Sequence, residues 1–68
     1  MPDYVQMILE LRRVGITARS IAAFGLKNGR TFSHHTIKGI VHHNHVRVRQ
    51  DIAQTIQEMH SLFVSATQ

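Results

Sequence analysis

The side chains best suited to chemistry in this sequence are cationic, and they are confined to one stretch. No Asp or Glu lies between Arg12 and Arg49, whereas all Lys and Arg residues do. This separation concentrates positive charge and indicates a polyanionic partner; the alternative is a solvated basic surface. The basic residues are Arg12, Arg13, Arg19, Lys27, Arg30, Lys38, Arg47 and Arg49, and the acidic ones are Asp3, Glu10, Asp51 and Glu58.

Histidines form the second group of chemically capable side chains. One interpretation is a three-histidine zinc site at His35, His42 and His45. The surroundings are basic and the chain has no Cys, so cation binding there is unfavourable. We therefore predict no metal and no cofactor, and expect polar contacts with the polyanion and some charge gained at mildly acidic pH. The six histidines are His34, His35, His42, His43, His45 and His60.

An enzymatic site is not indicated. The four carboxylates are scattered along the chain. Ser33 beside His34 is not a catalytic arrangement, because a triad is defined by spatial geometry and not by adjacency in sequence. We therefore predict neither catalysis nor a small-molecule substrate.

Four helices joined by short loops would position these residues. Apolar residues recur at steps of three and four, whereas strand-like alternation does not persist. Asp3, Thr17 and Ser33 are suitable N-caps, and Gly15 and Asn44 are suitable helix ends. The predicted helices are Tyr4–Val14, Ala18–Phe24, His34–His43 and Val48–Val64.

The second and third helices are separated by Leu26–Phe32. Asn28-Gly29 is a strong turn signal and would suit a hairpin. Because the flanks are short and polar, we predict a loop instead. A further possibility is that the second helix continues to Asn28, with Gly29 as its C-cap.

The apolar stripes define the expected core. Gly39 lies in the middle of the third helix, where it costs up to about 1 kcal/mol relative to Ala. Such a cost suggests close approach of DNA or a partner helix to the backbone. The residues expected to face inward are Ile21, Ala22, Phe24, Ile37, Ile40, Val41, Ile52, Ala53, Ile56, Met59 and Phe63.

The segment Thr17–Val41 meets the physical requirements of a helix-turn-helix. It has a small residue, Ala22, where two helices would cross, and glycines in the connection. Ile37 and Ile40 would be buried, leaving short polar and basic residues on the outer face of the second helix of the motif.

The runs GITARSIAAFG and FSHHTIKGIV resemble the helix-turn-helix of lambda-repressor-like regulators, particularly the small Ner-like and Cro-like proteins of phages. The resemblance covers Gly15–Ile56, and it departs from the family in its long connection, since about three residues are usual. It implies an all-α, four- to five-helix bundle containing a helix-turn-helix, as a single domain over residues 1–68. It further implies a dimeric, sequence-specific repressor of phage or mobile-element origin that binds double-stranded DNA.

Residue roles follow from position in that motif. Ser33 and His34 would lie near phosphates or base edges, and the best candidates for base contacts are His35, Thr36, Lys38 and Gly39. Phosphate contacts are expected from Thr17 and Arg19, and from Lys27, Asn28, Arg30, Arg47 and Arg49, some of which would reach a minor groove. We expect Lys38→Ala to weaken specific binding more than non-specific binding, and Arg49→Ala to weaken both.

The last helix offers a second surface. Its apolar residues would form either the core or a homodimer contact about a two-fold axis. Because the chain has only 68 residues and a modest core, association of two copies is expected. The predicted dimer residues are Ile56, Met59, Leu62 and Phe63.

The sequence also gives an expectation for localisation. No stretch is long enough to span a membrane, and the acidic N-terminal segment argues against a signal peptide. We therefore expect a cytoplasmic, nucleoid-associated protein.

A rival hypothesis is a small adaptor or inhibitor whose basic face binds an acidic protein partner. Retention on a polyanion would not distinguish the two, whereas enrichment of a defined DNA sequence would.

Overall fold

The computed structural model describes residues 2–45 and 47–65, and this part of the chain is all-helical. It contains no strand, so the all-α prediction is confirmed and the hairpin alternative is excluded over these residues. The helices are α1 (Tyr4–Arg13), α2 (Ala18–Lys27), α3 (His34–His42) and α4 (Gln50–Phe63).

Side-chain caps begin the first three helices where the sequence predicts them. Asp3 accepts a hydrogen bond from the backbone N–H of Gln6 (3.1 Å) at the start of α1. Thr17 caps α2 through the N–H of Ser20 (3.3 Å), and Ser33 caps α3 through that of His35 (3.1 Å). Each cap satisfies an N–H group that the helix itself leaves without an acceptor.

The second helix follows the longer of the two predicted forms. It continues through Gly25 to Lys27, one residue short of the predicted end, and its C-cap is Asn28 instead of Gly29. The Asn28 side chain donates to the carbonyl of Phe24 (2.8 Å). Gly29 then has φ +75°, a left-handed conformation that glycine adopts without strain. The shorter bounds predicted for this helix were therefore wrong, and residues 28–33 form the connection to α3.

The last helix begins later than predicted, at Gln50, and has no side-chain cap at Arg49. Val48 lies outside the helix but packs against the core as a half-buried residue. At the other end, Val64 is buried while Phe63 remains 41% exposed, so the prediction that Phe63 faces inward was wrong. Val64 still donates its N–H to the carbonyl of His60 (2.9 Å), so the helical turn continues there, and the buried stripe of α4 passes through Val64 instead of Phe63.

All four helices contribute to one core. Helix α4 packs against α1 and α2, while α3 packs against α2 and α1. Ala22, Phe24 and Val41 are only half-buried at its edge. The buried apolar residues that join the helices are Ile8, Leu11, Ala18, Ile21, Ile37, Ile40, Ile52, Ile56, Met59 and Val64.

Arginine side chains fix the long connection to α4. Arg30 donates to Glu58 (2.7 Å) and to the hydroxyl of Thr55 (3.2 Å), and Arg49 donates to the carbonyl of Thr31 (3.0 Å). Contacts distant in sequence therefore hold the connection that precedes α3.

None of the helices in the described residues is long and apolar enough to cross a membrane.

Candidate functional site

The third helix buries one face and presents the other to solvent. Ile37 and Ile40 are buried against the rest of the domain. The residues on the remaining surface include every predicted base-contacting position. His35, Thr36, Lys38 and His42 are exposed, whereas His34 and Gly39 are half-exposed.

A basic cleft lies on one side of this surface. Its volume is about 340 Å³, and it is bounded by the end of α1, the start of α2 and the middle of α3. We call it the α1–α2–α3 cleft; its lining residues are Arg12, Thr17, Ala18, Arg19 and Lys38. Arg12 was absent from the predicted site. The sequence nevertheless contained a signal for it, because only residues 14–17 separate the end of α1 from the start of α2.

A second depression lies between α3 and α4. Its volume is about 320 Å³, and it combines apolar side chains with arginines and a histidine. We call it the α3–α4 groove; its lining residues are Thr36, Gly39, Ile40, His45, Arg47, Val48, Arg49 and Ile52. The two depressions place positive charge on either side of the exposed surface of α3.

Arg30 is not a free cation. Both terminal nitrogens of its guanidinium contact Glu58 (2.7 and 3.4 Å), and its side chain is only 16% exposed. These hydrogen bonds are the main reason that the pKa of Glu58 lies below its ordinary value. This side chain therefore joins the long connection to α4, and a phosphate would have to compete with Glu58 for it. The DNA contact expected of Arg30 stays a prediction.

Arg49 is partly engaged in the same way. Its side chain is 61% exposed, but Nε and one terminal nitrogen donate to Asp51 (2.7 and 3.0 Å). The hydrogen bond from Arg49 holds the pKa of Asp51 below its ordinary value. A phosphate at this position would have to compete with Asp51.

The remaining predicted phosphate ligands differ in their surroundings. Thr17 and Arg19 lie at the α1–α2–α3 cleft, and Arg47 lies at the α3–α4 groove. Lys27 and Asn28 are exposed at the far end of α2 and line neither depression. Ser33 and Thr17 use their hydroxyls as helix caps.

His34, at the start of α3, lies in a positive environment. Its pKa is lowered by partial burial and then by the charges of His35, Arg19 and Lys38. The rings of His34 and His35 are 4.1 Å apart between centroids. An anion beside His34 would counteract this effect by stabilising its charged form.

The other histidines do not form a metal site in the part of the chain that the structure describes. His43 contacts the rings of His42 and His45, with centroid separations of 4.8 and 5.7 Å. No three potential metal-ligating side chains in this part are positioned around a common centre. His60 lies apart from them and contacts Glu10 (2.7 Å) between α4 and α1.

The predicted dimer residues divide between core and surface. Ile56 and Met59 are buried within this chain and have no surface to offer a second copy. Their assignment to a dimer interface is therefore corrected, because α4 turns these side chains towards α1 and α2. Leu62 is 57% exposed, and Phe63 is also accessible.

No protein-family model, curated protein or solved structure matches this chain. Interpretation of the site therefore depends on its own geometry and charge.

Proposed function

We propose that this protein binds double-stranded DNA as a helix-turn-helix regulator, with the exposed surface of α3 in the major groove. The observation that carries this proposal is the position of that surface between two depressions that both contain cationic side chains. A major groove is likewise a row of base edges between two phosphate strands. The arrangement of donors on the protein is thus complementary to the arrangement of acceptors on a duplex.

The packing of α3 supports this role. Ile37 and Ile40 fix one face of the helix, while α2 packs beside it and begins at the α1–α2–α3 cleft. A recognition helix needs such support, because its side chains must contact base edges in a fixed register.

Gly39 provides a second, independent reason. Apart from its two chain neighbours and the adjacent backbone of α3, a Cβ atom added at Gly39 would meet no atom of the described residues within 4 Å. Packing inside this chain therefore does not require glycine in the middle of α3, although glycine weakens a helix. Close approach of a duplex to the helix backbone would explain its presence.

A dimeric repressor is the more specific form of the proposal. Exposed Leu62 near the end of α4 would contribute to self-association, although two predicted interface residues lie in the core. A two-fold dimer would place two copies of α3 about 34 Å apart, one turn of the duplex. Action on a palindromic operator follows from that symmetry.

The test is selection of bound duplexes from a random DNA pool by the full chain. We expect a defined sequence to be enriched, and the affinity for it to fall steeply with salt. Thr36→Ala should relax base preference at one position of each half-site, whereas the matched control Thr31→Ala, an exposed residue of the connection, should not. Failure of the protein to bind any duplex at low salt would contradict the proposal.

A protein partner is the alternative, and the α3–α4 groove provides the observation that favours it. Ile40, Val48 and Ile52 lie beside Arg47 there, which suits an acidic peptide with apolar side chains. Under this alternative no DNA sequence would be enriched, and Arg47→Ala would weaken capture of a synthetic acidic amphipathic peptide.

A further inference from the structure

The α1–α2–α3 cleft gathers cations from three different helices. Arg12 lies in the last turn of α1, Arg19 in the first turn of α2, and Lys38 in the middle of α3. None of the three forms an ion pair within residues 2–45 and 47–65. Like charges placed together repel each other, and an anion bound among them would relieve that repulsion.

The chain has no side-chain carboxylate left for that task. Glu58 binds Arg30, Asp51 binds Arg49, and Glu10 binds His60. The fourth, Asp3, caps the opposite end of α1. Since these are all the acidic side chains of the sequence, an anion from another molecule is the counter-charge that the cleft can accept.

We propose that the α1–α2–α3 cleft binds a phosphate group and, granted the DNA binding proposed above, holds one backbone phosphate of the duplex. Arginine presents several N–H donors in a planar arrangement that matches phosphate oxygens, and two arginines line this cleft. The backbone N–H groups of Ala18 and Arg19 accompany them, since neither has an acceptor in the described residues. The site thus supplies both charge and directional donors.

This assignment changes the role of Lys38. The sequence predicts that Lys38 donates to a base, but its place in the cleft beside Arg12 and Arg19 makes it a phosphate ligand. Phosphate contacts set the position and orientation of a protein on the duplex without selecting a sequence. Base selection is left to other exposed residues of α3, such as His35 and Thr36.

The first experiment tests the cleft without DNA. The wild-type protein is titrated with inorganic phosphate at constant ionic strength while backbone and arginine side-chain N–H signals are followed by NMR. We expect saturable shifts at Arg12, Ala18 and Arg19. Arg12→Gln should weaken phosphate binding about tenfold, whereas Arg13→Gln, on the same turn of α1 but outside the cleft, should not. Shifts of equal size at Arg13 and Lys27, or shifts that do not saturate, would overturn the proposal.

The second experiment identifies the source of the phosphate. Affinities of the wild type and of the variants Arg12→Gln, Lys38→Gln and Arg13→Gln for selected and random duplexes are measured over a range of salt concentrations. Arg12→Gln and Lys38→Gln should each lower the slope of log K against log salt by about 1 and weaken random and selected duplexes equally. Arg13→Gln should retain the wild-type slope. Equal slopes for Arg12→Gln and Arg13→Gln would overturn the assignment to the DNA backbone.

The two experiments separate this inference from the proposed function. If the wild type binds no duplex but shows saturable, cleft-specific phosphate binding, the site is supported and the DNA-binding proposal fails. If the wild type binds DNA but Arg12→Gln changes neither phosphate binding nor salt slope, the cleft assignment fails and DNA binding stands.

Discussion

At the scale of single residues, arginines with the same chemistry have different surroundings. Arg30 is held by Glu58 and Thr55, while Arg12 and Arg47 have no acidic partner among the described residues. An arginine that is already paired with a carboxylate has fewer free N–H donors and a compensated charge, so it attracts phosphate less strongly. Hence neither net charge nor position in the basic stretch determines which cations can bind a ligand.

Arg30→Ala is expected to lower Tm at pH 7, because it removes the tie between the connection and α4. The pKa of Glu58 is below its ordinary value, so its contribution to stability is present above the unfolded-state pKa and is lost as pH falls through the folded-state pKa. The Tm difference from wild type should therefore shrink below about pH 4. Thermal unfolding followed by circular dichroism at several pH values measures it.

Arg47→Ala is the matched control, since Arg47 is exposed and has no ion pair in the described part of the chain. It should leave Tm close to the wild-type value and weaken DNA binding. An equal decrease in Tm for both variants would contradict this account. So would a Tm decrease for Arg30→Ala that is as large at pH 3 as at pH 7.

His34 should make DNA binding dependent on pH. Partial burial, and then the charges of His35, Arg19 and Lys38, lower its pKa in the free protein. Phosphate nearby should raise that pKa, so the complex takes up protons and affinity increases as pH falls from about 8 to about 6. Kd measured across this range at constant ionic strength should show the increase.

The effect of His34 on folding stability has the opposite pH dependence: it lowers stability as pH falls, whereas DNA affinity rises. With a folded-state pKa below the unfolded one, the contribution of His34 to stability is present above the unfolded-state pKa and is lost as pH falls through the folded-state pKa. His34→Gln should reduce the pH dependence of DNA affinity, whereas His43→Gln, at the opposite end of α3, should retain it. The same pH dependence in both variants would exclude His34 as its source.

At the scale of elements, α2 and α3 use glycine for opposite reasons. A Cβ added at Gly25 would lie 2.6 Å from the Phe32 ring, so packing within the chain requires glycine there. Gly39 has open space instead. One glycine lets the connection pack on α2, while the other leaves the backbone of α3 accessible.

Substitution by alanine should therefore separate stability from binding. Gly39→Ala should stabilise the fold by up to about 1 kcal/mol and reduce DNA affinity. Gly25→Ala should destabilise it by about 1–3 kcal/mol, because the packed Phe32 ring must move. Urea unfolding and DNA titration of both variants measure these effects. A Gly39→Ala variant with undiminished DNA affinity would remove the argument for close approach at α3.

At the scale of the whole molecule, the distribution of acids determines where the positive charge remains. Glu58 and Asp51 lie outside the basic stretch in sequence, yet both neutralise cations within it. The fold brings Glu58 to Arg30, whereas Asp51 pairs with Arg49 two residues away. The cations left without carboxylate partners in the described residues are Arg12, Arg13, Arg19, Lys27, Lys38 and Arg47. The surface proposed to bind a polyanion is consequently smaller than the basic stretch.

Self-association should depend on the end of α4. Leu62→Asp is expected to shift the protein towards monomer in sedimentation experiments and to lower affinity for a palindromic site. Leu26→Asp is a suitable control, because Leu26 is 66% exposed on α2. A monomeric wild type at high concentration, or equal effects of the two variants, would contradict a dimer formed through Leu62.

The sequence by itself determined the features that depend on neighbouring residues. The caps at Asp3, Thr17 and Ser33 and the buried pair Ile37 and Ile40 were predicted correctly, because hydrogen bonds and apolar stripes at spacings of three and four are local. The helix-turn-helix function remains a prediction, since an all-helical fold admits several functions.

Only the tertiary structure decided which of the basic residues are available to a ligand. The Arg30–Glu58 pair joins residues 28 positions apart, and the cleft unites Arg12 with Lys38. No sequence pattern specifies such pairs, because they depend on how the helices cross in the folded protein. The basic stretch predicted a polyanionic partner, but packing selected the six cations that have no carboxylate partner in residues 2–45 and 47–65.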